Sequence, residues 1–93
     1  MRLILYSKPG CHLCEGLQEK LEQIQNLSFE LEIRDITTRE DWFAAYEYEV
    51  PVLYLSNHRG AEEEEGSEKP LPRPSPRASV QQLEQMLRKY LAN

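Results

Sequence analysis

The chain has 93 residues, 40% of them hydrophobic and 29% charged, with a formal net charge of −5. That length supports one compact domain with one modest core. The acidity excludes the broad basic face of a nucleic-acid binder, and no apolar run approaches the ~20 residues that span a bilayer. The apolar stretch Leu3 to Tyr6 is too short for the core of a signal peptide, and no small-residue cleavage site follows it. A cytoplasmic location without a membrane partner is therefore expected. In that reducing compartment, two cysteines point to catalysis or metal binding rather than to a structural staple.

Arg2 to Tyr6 is a continuous apolar run of strand length, bounded by Ser7-Lys8-Pro9-Gly10, and suits a central strand buried on both faces. From Cys11 to about Asn26 the pattern is helical. Leu13, Leu17, Leu21 and Ile24 recur at spacings of four, four and three as one apolar stripe. Gly16, a weak residue in mid-helix, is expected to pack closely on the sheet. Phe29, Leu31 and Ile33 alternate with polar residues, which predicts an edge strand. Strand, helix and strand make a parallel βαβ unit with a right-handed crossover.

Thr38 to Tyr46 predicts a second, shorter helix, with Thr38 as its cap and Trp42, Phe43, Ala45 and Tyr46 as its apolar face. Val50 to Leu55 predicts the third strand, with Pro51 near its start. Residues 56–78 hold Glu62 to Glu65, Glu68 and four of the six prolines, and read as an irregular insertion in a single domain over 1–93. The acidic run reads as a solvated loop or as a docking site for a basic partner. A fourth strand is sought around Lys69 to Arg73. Ser79 and Gln82 stand in capping-box positions for a last helix to about Leu91, with Val80, Leu83, Met86, Leu87 and Tyr90 toward the core.

Cys11-His12-Leu13-Cys14 holds the chain's only two cysteines, at the junction of the first strand and the first helix. A thiol at a helix N-terminus meets a positive partial charge and unpaired N–H donors, which favour the thiolate. Cys11 is thus the expected nucleophile, and Cys14, one turn in, the thiol that resolves its mixed disulfide. Lys8 either adds positive charge or is an exposed turn residue. His12 either favours the thiolate as a cation or stands neutral in solvent. Two thiolates are half of a tetrahedral set, so metal binding would need a second chain or glutathione. His58 reads as a plain loop residue.

Tyr6-Ser-Lys-Pro-Gly-Cys-His-Leu-Cys14, followed by Val50-Pro51 36 residues after Cys14, resembles the glutaredoxins and short glutaredoxin-like proteins of the thioredoxin-fold superfamily. The resemblance covers residues 2 to 55 and the last helix in outline. It implies an α/β fold of order β-α-β-α-β-β-α, a four-stranded mixed sheet flanked by three helices. It also implies a cis Pro51 facing the dithiol, with the backbone of Val50 offered to an extended substrate. Glutaredoxins carry a Gly-Gly pair and an Asp for glutathione. Here the glycines are 10, 16, 60 and 66, none adjacent, so the group without a clear glutathione site is the closer match.

The resemblance implies a thiol–disulfide oxidoreductase that reduces protein disulfides or glutathione mixed disulfides. No resident cofactor is expected, glutathione is a candidate co-substrate, and the chain is expected to be a monomer. Candidate substrate-binding residues are Tyr6, Lys8, His12, Val50, Pro51 and Arg77. Topology places Arg73, Arg77 and the last helix's N-terminus near the groove, and Arg77 with Ser79 is expected to replace part of the missing glutathione site. Three other readings share the fold: a dimeric iron–sulfur or zinc carrier using Cys11, a redox-sensing adaptor, and a relative of arsenate reductases.

Overall fold

The computed structural model describes residues 2–56 and 68–91. His58 and the run from Glu62 to Glu65 lie outside the described residues. In chain order the elements are β1 (Arg2–Ser7), α1 (His12–Glu22), β2 (Glu30–Asp35), a 3-10 turn (Ile36–Thr38), α2 (Glu40–Tyr46), β3 (Val52–Ser56), β4 (Glu68–Pro70) and α3 (Val80–Leu91). The sheet order is β2-β1-β3-β4. β1 and β2 are parallel, while β3 runs antiparallel to both β1 and β4. This is the four-stranded mixed sheet with three helices that the resemblance implies. Among the described residues no helix is long and apolar enough to cross a membrane.

β1 is central because its apolar run has two faces to bury. Leu3, Ile4 and Leu5 are all at 0% exposure. Leu3 and Leu5 pack with Leu17, Leu21 and Ile24 on one side of the sheet and with Leu83 and Leu87 of α3 on that same side. Ile4 and Tyr6 turn to the other side, against Ile36, Trp42, Tyr46 and Tyr54. Each fully buried leucine or isoleucine contributes about 1.5–3 kcal/mol, so these two layers position everything that follows. β2 is the edge strand that its alternation predicts. Its outer carboxylates Glu30 and Glu32 hold Arg2 at 3.2 and 3.3 Å.

Several local expectations are corrected. α1 ends at Glu22 rather than Asn26, because the Gln23 and Ile24 N–H groups reach back only three residues, to Lys20 and Leu21, and tighten the last turn. Its buried stripe is Cys14, Leu17 and Leu21. Leu13, about 100° around the helix from Cys14, lies at the outer edge of that stripe and stands 49% exposed. Thr38 does not cap α2. Its hydroxyl donates to the Asp35 carbonyl at 2.7 Å, and the N-cap is Arg39, which makes no side-chain capping bond. Asp35 is the working cap here, accepting from the Thr37 N–H at 2.9 Å and its hydroxyl at 2.7 Å, which lowers its carboxyl pKa.

α2 turns Trp42 and Tyr46 inward, four residues apart, while Phe43 and Ala45 are exposed. β3 begins two residues later than expected, after Pro51. β4 is Glu68–Pro70, only three residues, and one further bond from the Leu71 N–H to the Leu53 carbonyl (2.9 Å) extends the pairing. The capping box of α3 forms as expected, with Ser79 N–H to Gln82 Oε1 at 2.9 Å and Gln82 N–H to Ser79 Oγ at 3.1 Å. Tyr90, however, faces outward at 38% exposure.

Candidate functional site

The segment Lys8-Pro9-Gly10-Cys11 closes a β-turn through a bond from the Cys11 N–H to the Lys8 carbonyl, 3.1 Å. Pro9 takes the second position and Gly10, with φ +81°, the third, as a type II turn requires. Only glycine adopts that φ cheaply. The turn delivers Cys11 to the N-cap of α1 in an extended conformation (φ −88°, ψ 103°). Its sulfur then accepts from the Cys14 N–H at 3.1 Å, in the place of a capping oxygen.

Cys11 and Cys14 are joined by a disulfide, with their Cα atoms 5.2 Å apart. Their environments differ. Cys11 is half-buried, whereas Cys14 is 2% exposed under the first turn of α1. The more accessible sulfur is also the one at the positive end of the helix, which is the asymmetry an attacking and a resolving thiol need.

Beside the dithiol lies a groove of about 260 Å³. One wall is α1, through His12, Leu13 and Gly16; the opposite wall is the proline-rich segment through Arg73, Pro74 and Pro76. Pro51, whose peptide bond with Val50 is cis, and Leu83 of α3 contribute the remaining surface. A Cβ placed on Gly16 would meet nothing within 4 Å, so this glycine opens onto the groove instead of packing on the sheet. Lys20 ties the walls together. Its ammonium donates to the Pro76 carbonyl at 3.0 Å and the Ala78 carbonyl at 2.5 Å.

The other candidate residues are distributed unevenly around this groove. His12 lines it, with its side chain 94% exposed and Nδ1 3.5 Å from Glu15 Oε1. Val50 has both backbone groups engaged: its N–H donates to the Tyr46 carbonyl at 3.1 Å, and its carbonyl accepts from Arg73 Nη2 at 3.4 Å. Arg73 Nη1 also reaches the Glu49 carbonyl at 3.4 Å. Lys8 contributes its carbonyl to the Cys11 turn, but its side chain is not part of the groove lining. Arg77 likewise lies outside the lining, and the Ser79 hydroxyl is committed to capping α3. Of the two arginines that topology placed nearby, Arg73 is the one that reaches the groove.

Tyr6 belongs to the opposite face of the sheet. Only 4% exposed, it packs against Trp42, Tyr46 and Tyr54 with ring centroids 4.5–5.7 Å away. Its hydroxyl accepts from Arg34 Nη1 at 2.8 Å. Burial raises the Tyr6 phenol pKa, an effect that the Arg34 bond partly offsets. Arg34 in turn pairs with Glu32 at 2.6 Å and Glu68 at 3.2 Å, and its guanidinium lies 5.4 Å from the Trp42 ring centre. The alternating pattern of β2 placed Arg34 on this face, but nothing local announced its partners. Among the described residues no cluster of three or more His, Cys, Asp or Glu side chains could hold a metal ion.

Compared with known protein families, residues 2–88 match the model of the glutaredoxin-like domain (DUF836). Neither a curated protein nor a solved structure matches the chain.

Proposed function

The chain belongs to the glutaredoxin-like domain family, and from that premise we propose that it is a thiol–disulfide oxidoreductase reducing protein disulfides or glutathione mixed disulfides. The observation that carries this reading is the asymmetric pair at the start of α1, an accessible Cys11 whose sulfur accepts the Cys14 N–H at 3.1 Å, and a Cys14 only 2% exposed.

In the reduced protein the same N–H and the helix N-terminus favour the Cys11 thiolate. The thiolate attacks one sulfur of the substrate disulfide. An S–S bond to Cys11 forms as the substrate's own S–S bond breaks, and the first substrate thiolate leaves and takes up a proton. Cys14, deprotonated, then attacks Cys11 Sγ and releases the second substrate thiol. The substrate gains two electrons and two protons, and Cys11–Cys14 becomes the disulfide present in the structure. An external thiol such as glutathione returns the dithiol by the reverse exchange, so glutathione serves as co-substrate and no resident cofactor takes part. Such chemistry belongs in a reducing compartment, the cytoplasm, and a single chain, acting as a monomer, holds every group it uses.

The test is intact mass across a series of reduced-to-oxidised glutathione ratios, with remaining thiols trapped by alkylation. A reversible loss of two hydrogens with a defined midpoint is expected. Thiols that stay reduced at every ratio would sink the reading. A persistent glutathione adduct on Cys11 would assign glutathione mixed disulfides as the substrate.

A further inference from the structure

Charge around the dithiol groove is opposite to that of the chain. The sequence has 16 acidic and 11 basic residues, yet the groove is lined by His12, Lys20 and Arg73 and by no carboxylate. Lys20 is occupied by the carbonyls of Pro76 and Ala78. Arg73 is held more loosely, by two carbonyl contacts of 3.4 Å each, and is exposed. Arg2, Arg34, Arg39 and Arg88 each pair with a carboxylate. Among the described residues, Arg73 is the groove's arginine and has no such partner. A guanidinium in that state prefers a carboxylate to two long carbonyl contacts, because the charge-assisted pair is shorter and about twice as strong.

Apart from Ser75, the rest of the groove lining is apolar. Leu13, 49% exposed, lines it together with Pro51, Pro74 and Pro76. Its volume of about 260 Å³ lies just under the roughly 300–1,000 Å³ of sites that enclose a whole small molecule. That size suits a side chain or two of a longer chain lying across it. Resting on the dithiol reading above, we infer that Arg73 selects the substrate: it binds a carboxylate on a polypeptide disulfide whose reacting cysteine is flanked by one acidic and one apolar residue. The apolar neighbour enters between α1 and the proline-rich wall, and the acidic neighbour displaces the Glu49 and Val50 carbonyls from Arg73. Arg73 is thus a specificity-determining residue.

The test uses short peptides with one cysteine, capped as a mixed disulfide with a neutral thiol, with Leu on one side and Glu, Gln or Lys on the other. Turnover is followed for the full chain as ratios of kcat/KM. Binding of Ser-for-Cys versions of the same peptides to the oxidised protein is measured in parallel by calorimetry. A Glu-over-Gln preference of about tenfold is expected in both readouts. Arg73→Gln should bring the ratio to about one, and Arg73→Glu should reverse it in favour of Lys. Because each ratio is internal to one protein, a loss of folded material does not mimic the result. Turnover with equal constants for the three peptides, or a preference that survives Arg73→Gln, overturns the inference alone. A glutathione mixed disulfide reduced faster than every peptide overturns the polypeptide assignment. Binding preference without any turnover overturns the oxidoreductase reading, and with it substrate selection, leaving only recognition of an acidic peptide by Arg73; absence of both overturns both.

Discussion

Lys20, two turns into α1, donates its ammonium to the carbonyl of Ala78, 2.5 Å away in space and 58 residues away in the chain. With a second bond to Pro76 at 3.0 Å, it fastens the proline-rich segment to the helix that carries the dithiol. That segment has no helical or sheet bonds of its own between Leu71 and Ser79, so its position depends on such ties. Lys20→Met keeps most of the apolar stem and removes the donors. It should destabilise the fold by about 1–2 kcal/mol. Urea unfolding should show a lower midpoint with an unchanged slope. An unshifted midpoint would mean that the wall is held by packing alone.

Gly16 opens onto the groove with room for a Cβ and sits inside α1. Gly16→Ala should therefore stabilise the protein by about 1 kcal/mol through helix propensity, raising Tm by about 4–8 °C for a domain of this size. A fall in Tm on thermal scanning would show that the glycine serves close packing after all.

Reactivity should separate the two cysteines. In the reduced protein, Cys11 is expected to alkylate at least tenfold faster than Cys14, because one sulfur is accessible at a helix N-terminus and the other is 2% exposed. Cys11→Ser should abolish disulfide turnover. Cys14→Ser should accumulate a mixed disulfide on Cys11, visible as an added substrate mass. Equal labelling rates for the two thiols would contradict the assigned roles.

Alkaline titration should pick out the aromatic layer. Burial raises the phenol pKa of Tyr6 and of Tyr46, and a 3.2 Å hydrogen bond to Tyr54 raises Tyr46 further. For a phenol raised in the fold, the stabilisation is fully present below the unfolded value near 10 and is lost as pH climbs through the folded value. Ultraviolet titration of the native protein should therefore leave at least two of the five tyrosines un-ionised beyond the ordinary phenol range, until unfolding releases them. In urea all five should titrate together. Five native phenols ionising near pH 10 would refute the buried placement.

What could be read from the sequence was what neighbours in the chain decide. The Pro9-Gly10 turn into Cys11, the run Leu3 to Leu5 and the Ser79–Gln82 capping box each depend on residues within one turn or one strand, and all three stand as expected. The same locality misled where two partners competed. Thr38 was a sound cap by type, but its hydroxyl goes to the Asp35 carbonyl. Leu13 lay on a plausible stripe until Cys14 claimed the buried position.

The amino-acid sequence by itself determined the dithiol, its place at a strand-to-helix turn, and the order of the principal strands and helices, because local periodicity and turn chemistry specify them. Tertiary structure decided what surrounds that dithiol. β4 is three residues long and carries no pattern of its own; it exists because β3 offers an edge. Tyr6 meets Arg34 across 28 residues, and Arg73 reaches Val50 across 23. Such contacts follow from the twist of the sheet and from which side chains are left to share each face. Only the closed fold therefore shows that Arg73, and not Arg77, stands in the groove beside Cys11.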